Sequence, residues 1–210
     1  MNTASAGRAG YRELRLRAFR WRCELGVAGK VSLALGMAAL TGLMAQVRLP
    51  LPFTPVPVTG QVFAVLLAGA LLGGTYGGLS QAVYVALGAA GLPWFAGQSG
   101  GLGALTGVTG GYLVGFVPAA VLIGRLSERY LWARRFWPQF GLMMLGVGVI
   151  YACGALQLSL VLGTGPGRTL QLAVLPFVAV DVVKAFGAAV LGAALLPKEA
   201  FGAEGDRRGC

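Results

Sequence analysis

The chain has 210 residues, of which 56% are apolar and 11% are charged, against roughly 25% charged residues in soluble domains. This composition excludes most soluble folds, because a soluble chain of this length needs more polar side chains to cover its surface. Histidine is absent, which excludes His-based catalytic triads and metal sites with His ligands.

Long apolar runs separate the charged residues. No charge lies between Arg48 and Arg125, a run of 76 positions, or between Arg135 and Arg168, a run of 32. A charge at the bilayer centre costs roughly 2.5–3.5 kcal/mol, and a spanning helix needs about 20 mostly apolar residues. The runs are continuous, unlike the alternating residues of membrane β-barrels. We therefore predict an all-α integral membrane protein.

The chain begins with a basic segment, residues 1–26, that contains six Arg. Apolar residues recur there at spacings of three or four, at Tyr11, Leu14, Ala18, Trp21 and Leu25. This spacing is typical of an amphipathic helix that lies on the cytoplasmic face of a membrane. A frayed polar tail is an equally good interpretation of the same residues.

A membrane domain is predicted at 27–197, followed by a tail at 198–210. We place six transmembrane helices in this domain, at about 27–47, 58–73, 77–91, 109–125, 139–162 and 176–196. Each is an apolar run bounded by charges, prolines or glycines.

The connections between these helices are distinctive. Four prolines in residues 49–57 predict an extended segment that packs against the protein near one membrane face. Glycines predict tight turns at 73–78 and 163–168 and an irregular loop at 92–107. Irregular backbone at membrane depth is tolerated only inside protein or beside a cavity, so the loop at 92–107 is expected to line one.

The Lys and Arg residues predict the orientation of the domain. With both termini in the cytoplasm, 14 of the 17 Lys and Arg residues fall on the cytoplasmic side, as the positive-inside rule requires. The exceptions are Arg48 and Arg168 outside and Lys184 within a helix. Topology thus accounts for the net charge of +10. Nucleic-acid binding is a poor alternative, since the basic residues are divided among separate segments beside the spans.

Two ionisable residues lie well inside a predicted helix. Asp181 and Lys184 are three residues apart, which places them on one helix face. They could form an intrahelical ion pair that offsets the burial of each charge. They could also form a polar binding site near the outer face, where Lys184 offers a cation and Asp181 offers two acceptors. Both interpretations can hold together.

Further candidate site residues lie in the glycine-rich loop and near the starts of two predicted helices. The glycine-rich loop offers the donors and acceptors of Gln98 and Ser99 and the apolar walls of Trp94 and Phe95. Thr59 and Gln61 begin the second helix, where such side chains more often cap or join helices than bind a ligand. Tyr112, after Gly110 and Gly111, could line a pocket or lie at the membrane interface.

Small residues recur every four positions along the first helix, at Ala34, Ala38 and Gly42. Such a stripe permits close helix approach, either within the monomer or to a partner. The sequence has no Walker A motif, so ATP-driven work would require another subunit, and no residue pattern indicates a cofactor or a metal site.

Five segments distributed over residues 30–196 form a specific combination. They are Pro55-Val-Pro-Val-Thr-Gly-Gln61, Gly88-Ala-Ala-Gly-Leu-Pro93, Phe95-Ala-Gly-Gln-Ser-Gly-Gly-Leu-Gly103, Thr109-Gly-Gly-Tyr112 and Pro176-Phe-Val-Ala-Val-Asp-Val-Val-Lys184. Together they resemble the BioY family, the biotin-specific substrate-binding (S) components of energy-coupling-factor (ECF) transporters. Two departures occur: Gly60 stands where the family usually has Leu, and Val178-Ala-Val180 replaces Leu-Pro-Gly.

The resemblance implies a six-helix S component that binds biotin near the outer face. By position, Asp181 would accept a ureido N–H, and Ser99, with Gln98, would meet the ureido oxygen or its neighbour. Lys184 would contact the carboxylate or brace Asp181. The apolar walls would be Trp94, Phe95 and Tyr112.

The resemblance also implies partners. The stripe of Ala34 and Ala38 resembles the surface by which S components dock the transmembrane coupling subunit, which carries two ATP-binding cassette ATPases. The expected function is biotin capture for ATP-driven import through a bacterial or archaeal cell membrane, without a cofactor of its own. The alternatives are an S component for another small vitamin or a stand-alone secondary transporter. An intramembrane enzyme would need a nucleophile with a base, or metal ligands, which the missing His makes improbable.

Overall fold

The structure is a computed structural model that describes residues 3–198, with side chains described from residue 10 onward. Its helices are α1 Thr3–Glu24, α2 Val27–Gln46, α3 Gln61–Ala89, α4 Leu102–Thr106, α5 Gly110–Arg129, α6 Phe136–Leu162, α7 Pro166–Ala173 and α8 Leu175–Leu195. A short 3₁₀ helix covers Leu131–Arg134. Strands β1 Arg48–Leu49 and β2 Val58–Thr59 form a two-stranded antiparallel pair.

Five of the described helices are long and apolar enough to cross a membrane: α2, α3, α5, α6 and α8. Their bounds lie within a few residues of the predicted spans, apart from the division of α3. The protein is thus a mostly helical membrane protein, as the continuous apolar runs predict. The predicted tail at 198–210 lies outside the described residues except for Lys198.

Helix α3 consists of two segments that fold back on each other at Gly73. The backbone of Gly73 is left-handed (φ 80°), a conformation that glycine adopts without steric cost. The Gln61 side chain donates to the Tyr84 hydroxyl at 2.7 Å, although residues 23 apart in an unbroken helix would be about 35 Å apart. The apolar stretch at 61–89 is therefore a helical hairpin.

The prediction of a six-residue turn at 73–78 was wrong in its extent. The helix resumes at Gly74, whose backbone N–H donates to the Glu128 carboxylate at 3.1 Å. This contact satisfies one of the free donors at the start of the second segment. Gly77 serves packing, since a Cβ there would lie 2.7 Å from the carbonyl oxygen of Ala68.

Two short helices lie where loops or turns were predicted. Helix α4 lies within the glycine-rich loop, and α7 begins at Pro166, a favourable first-turn residue. Leu172 and Ala173 bury one face of α7. Helices of five and eight residues are too short to give a clear apolar period between glycines, which is why the sequence pattern did not reveal them.

The basic segment at 1–26 is helical over most of its length, as one of its two interpretations predicts. It packs against the carboxyl end of α8, where the Tyr11 hydroxyl donates to the Ala194 carbonyl at 2.7 Å. It also contacts α3, since Arg22 donates to the Leu71 carbonyl. Phe19 is buried, whereas Leu14 and Trp21 of the predicted apolar face are exposed. The exposed face of α1 therefore keeps the apolar side chains that an interfacial helix inserts into a membrane surface.

Close packing of α3 against α5 gives a test of the hairpin. A Cβ on Gly124 would overlap the backbone of Gly73 and Gly74. We expect Gly124→Ala to lower the free energy of unfolding by about 3 kcal/mol, because backbone cannot move aside as a side chain can. Denaturation in detergent measures this loss. In the control Gly148→Ala no atom beyond the neighbouring backbone of its own helix lies within 4 Å of the new methyl group, and stability should be kept. Equal stability of the two variants would contradict the hairpin packing.

Candidate binding site

A cavity of about 230 Å³ lies at the end of the helical bundle opposite Gly73. Its walls come from the amino-terminal halves of α3, α5 and α8, from α4 and α6, and from the segments before and after α3. Of the residues predicted for the site, the structure brings seven to this cavity: Thr59, Gln61, Phe95, Ser99, Tyr112, Asp181 and Lys184.

Asp181 is the most buried charged residue of the cavity wall, with 3% of its surface exposed. The Lys184 ammonium donates to Asp181 Oδ1 at 2.7 Å, and the Tyr151 hydroxyl donates to Oδ2 at 2.6 Å. The predicted ion pair is therefore formed, and both of its members also line the cavity. The two interpretations of this pair are compatible.

The partners of Asp181 determine what else it can bind. A buried carboxylate is costly unless it is paired and hydrogen-bonded, and Lys184 and Tyr151 meet that requirement. An ionised carboxylate has about four lone-pair sites, of which these two donors occupy two. Asp181 therefore keeps the capacity to accept N–H donors from a molecule in the cavity.

A chain of hydrogen bonds joins the polar residues at the start of α3. Thr59 donates to Gln61 Oε1 at 2.8 Å, Gln61 donates to the Tyr84 hydroxyl, and that hydroxyl donates to the Trp94 carbonyl at 3.3 Å. The chain links β2, both segments of α3 and the glycine-rich loop. Thr59 and Gln61 thus join elements, as such residues more often do, while they also line the cavity.

The glycine-rich loop forms one wall of the cavity, as the prediction of a cavity-lining loop requires. Phe95 is 2% exposed, and its backbone N–H donates to the Ser99 carbonyl at 3.0 Å. The Ser99 hydroxyl donates to the Ala96 carbonyl at 3.0 Å, so its lone pairs remain as acceptors. Gly88 leaves room for the Phe95 ring, with which any Cβ at that position would overlap.

Two residues predicted for the site do not line the cavity. The Trp94 indole donates to the Tyr84 carbonyl at 2.9 Å and packs against Gly42, which places it behind the loop. Gln98 is exposed, with φ at 57°, and its backbone N–H donates to the Gln46 side chain. The sequence placed both in the right loop, but spacing in an irregular segment does not determine side-chain direction.

Tyr112 lines the cavity, and its hydroxyl donates to the Ala173 carbonyl at 2.7 Å. The extended segment packs against the protein, as predicted: Val56 is buried and the Thr54 hydroxyl donates to the Leu172 carbonyl at 2.7 Å. These contacts join α7 to the proline-rich segment and to α5, both of which line the cavity.

Sequence reasoning missed several cavity residues: Arg48, Val56, Phe116, Tyr151 and Phe177. Two of them had a signal. Tyr151 is a polar aromatic residue within an uncharged span, and Arg48 is the last charge before the longest apolar run. The apolar members had none, because any residue of a membrane helix is expected to be apolar.

The small-residue stripe of α2 faces the interior of the monomer. Ala34 and Ala38 are each 1% exposed, and Gly42 lies against Trp94. The sequence allowed the stripe to pack either within the monomer or against a partner, and in the structure it packs within the monomer. These residues are therefore inaccessible to a partner. The opposite face of α2 is exposed, with nothing within 4 Å of a Cβ at Gly36.

Comparisons with known proteins agree with the fold. The model of the BioY family matches residues 16–200. A probable biotin transporter BioY of Methanothermobacter thermautotrophicus is 47% identical over 147 residues, covering 67% of this chain and 94% of its own. The biotin transporter BioY of Thermotoga maritima is 40% identical over 141 residues, covering 67% of this chain and 81% of its own.

A solved structure is also similar. The crystal structure of the S-component for biotin from an ECF-type ABC transporter superposes with a TM-score of 0.75 and 27% sequence identity, covering 80% of this chain and 90% of that one. The departures from the family pattern at Val178–Val180 leave the backbone helical, since α8 is continuous through them. The chain therefore belongs to the BioY family of membrane transport proteins.

Proposed function

We propose that the protein captures biotin at the outer face of the membrane as the S component of an ATP-driven ECF importer. The observation that carries this proposal is the carboxylate of Asp181, paired with Lys184 and Tyr151, in a cavity lined by both apolar and polar residues. The relative from Thermotoga maritima is named a biotin transporter, the one from Methanothermobacter thermautotrophicus a probable biotin transporter, and the similar crystal structure is of an S-component for biotin.

The chemistry of biotin suits this cavity. Biotin has a ureido ring with two N–H donors and one carbonyl, an apolar thiolane ring and an acid chain. In the proposal, Asp181 accepts a ureido N–H through its free lone pairs, and Lys184 braces Asp181. Phe95 and Tyr112 provide walls for the thiolane ring, and Ser99 meets the remaining ureido edge.

The proposed orientation places the cavity outside and both termini inside. Basic residues gather at the end that contains Gly73: Arg22 contacts Leu71, and Arg134 donates to the Pro197 carbonyl at 3.3 Å. By the positive-inside rule this end faces the cytoplasm. The two segments of α3 then cross separately, which gives six spans in the cell membrane of a bacterium or archaeon.

Docking of the coupling subunit is assigned to the exposed face of α2, since the stripe at Ala34 and Ala38 is buried. The face consists of Ser32, Gly36, Ala39 and Leu43, of which Ser32 and Gly36 are small residues four apart. The coupling subunit and its two ATPases supply the energy, and the chain needs no cofactor.

Titration of the purified chain tests the substrate. We expect saturable one-to-one binding of biotin and weaker binding of dethiobiotin, which lacks the sulfur that closes the thiolane ring against the cavity walls. Riboflavin and thiamine serve as controls for the alternative of another vitamin. Tight binding of a different vitamin, or no binding of biotin, would contradict the proposal. Uptake by cells that express the chain without ATPases would instead indicate a stand-alone transporter.

A further inference from the structure

The charges around the cavity are not balanced. In the described part of the chain its wall contains two cations, Arg48 and Lys184, and one anion, Asp181. Lys184 and Asp181 pair with each other at 2.7 Å. Arg48 makes no ion pair with an acidic residue among residues 10–198, so one positive charge is left for a ligand.

Backbone pairing and a close packing contact hold Arg48 at the cavity. It begins β1, and its backbone pairs with Thr59 of β2, which also lines the cavity. Its guanidinium lies against Gly97, where a Cβ would overlap it. The arginine is exposed, whereas Asp181 is buried, so the two mark the mouth and the deep end of the same cavity.

We propose that Arg48 binds the carboxylate of the ligand and thereby fixes its direction in the cavity. This inference rests on the proposed function. The ureido ring lies at the deep end beside Asp181, and the acid chain extends to the mouth beside Arg48. A guanidinium binds a carboxylate through two parallel N–H donors, which suits a chain that ends at the mouth.

The position of Lys184 supports the same assignment. Its ammonium is 2.7 Å from Asp181 Oδ1, and its side chain is 15% exposed. Moving it to a ligand carboxylate would leave Asp181 a buried charge without its cation, which is strongly unfavourable. Arg48 gives up no ion pair among the described residues when it binds an acid. Lys184 therefore stays paired with Asp181, and Arg48 binds the ligand carboxylate.

The inference predicts that the site distinguishes acids from neutral analogues. Biotin and biotin methyl ester share the ring system and differ in the charge at the chain end. We expect the protein to bind biotin about tenfold more tightly than the ester, since a charge-assisted contact at an exposed site is strong but screened. High salt should reduce this preference.

Equilibrium titration of Arg48→Gln with both ligands tests the inference. We expect the variant to bind biotin about tenfold more weakly, to bind the ester as the wild type does, and so to lose the preference. Arg48→Lys should keep part of it, because the charge remains without the paired donors. Arg168→Gln is the matched control, since Arg168 is also expected on the outer side but lies outside the cavity wall.

The outcomes separate this inference from the proposed function. If the wild type binds neither ligand, the proposed function fails. If the wild type binds biotin and Arg48→Gln keeps the preference for the acid, the role of Arg48 fails and the proposed function stands. Equal weakening of biotin and ester in Arg48→Gln would also overturn the inference, because it would assign Arg48 a structural role.

Discussion

Replacing Asp181 with Asn is expected to lower the affinity for biotin at least tenfold. Asn keeps the shape of the side chain but removes the charge that strengthens its hydrogen bonds, and such bonds are worth about 1.5–3 kcal/mol. The substitution also leaves Lys184 without its acidic partner, so the protein should unfold at a lower temperature. Titration with biotin and thermal denaturation of the same preparation measure the two effects.

A double variant separates binding from stability. In Asp181→Asn with Lys184→Met the ion pair is removed as a whole, which is often close to neutral for stability. We expect stability to recover while the affinity for biotin stays low. If affinity returned together with stability, Asp181 would be a structural residue. Unchanged affinity in the single variant would lead to the same conclusion.

Substitution of Ala34 by Trp is expected to damage the fold itself. Ala34 is 1% exposed where α2 packs against α3, so an indole there would overpack the interface by about 3 kcal/mol or more. Thermal denaturation in detergent should show a lower midpoint, and biotin binding should be lost or weakened. A stable Ala34→Trp variant that binds biotin normally would contradict the burial of this stripe.

The matched variant on the other face of α2 is Gly36→Trp. Nothing lies within 4 Å of a Cβ at Gly36, so stability and biotin binding should be kept. Co-purification with the coupling subunit should be lost, since a large side chain would block the exposed face. Normal assembly of Gly36→Trp would show that the coupling subunit docks elsewhere.

The distribution of charge predicted most of the fold. The runs without charge between Arg48 and Arg125 and after Arg135 gave the membrane class and nearly all the spans. The same reasoning found the pair of Asp181 and Lys184, because a charge within a membrane helix is costly enough to need a reason. These conclusions depend on the cost of placing charges in the lipid bilayer, and not on how any one residue packs.

The sequence could not predict which way individual side chains face. The stripe at Ala34 and Ala38 has the same spacing whether it faces a partner or the monomer, and the structure shows the second. Trp94 and Gln98 lie in the predicted loop but face away from the cavity, because backbone conformations such as the positive φ of Gln98 direct each side chain separately. The role of Tyr151 depends on α6 lying beside α8.

The structure of the protein with biotin bound tests the account most directly. The account predicts the ureido ring at the deep end of the cavity, with an N–H about 3 Å from an oxygen of Asp181 and with Lys184 still paired to that carboxylate. A biotin ring bound away from Asp181, or an Asp181 side chain turned out of the cavity, would contradict it.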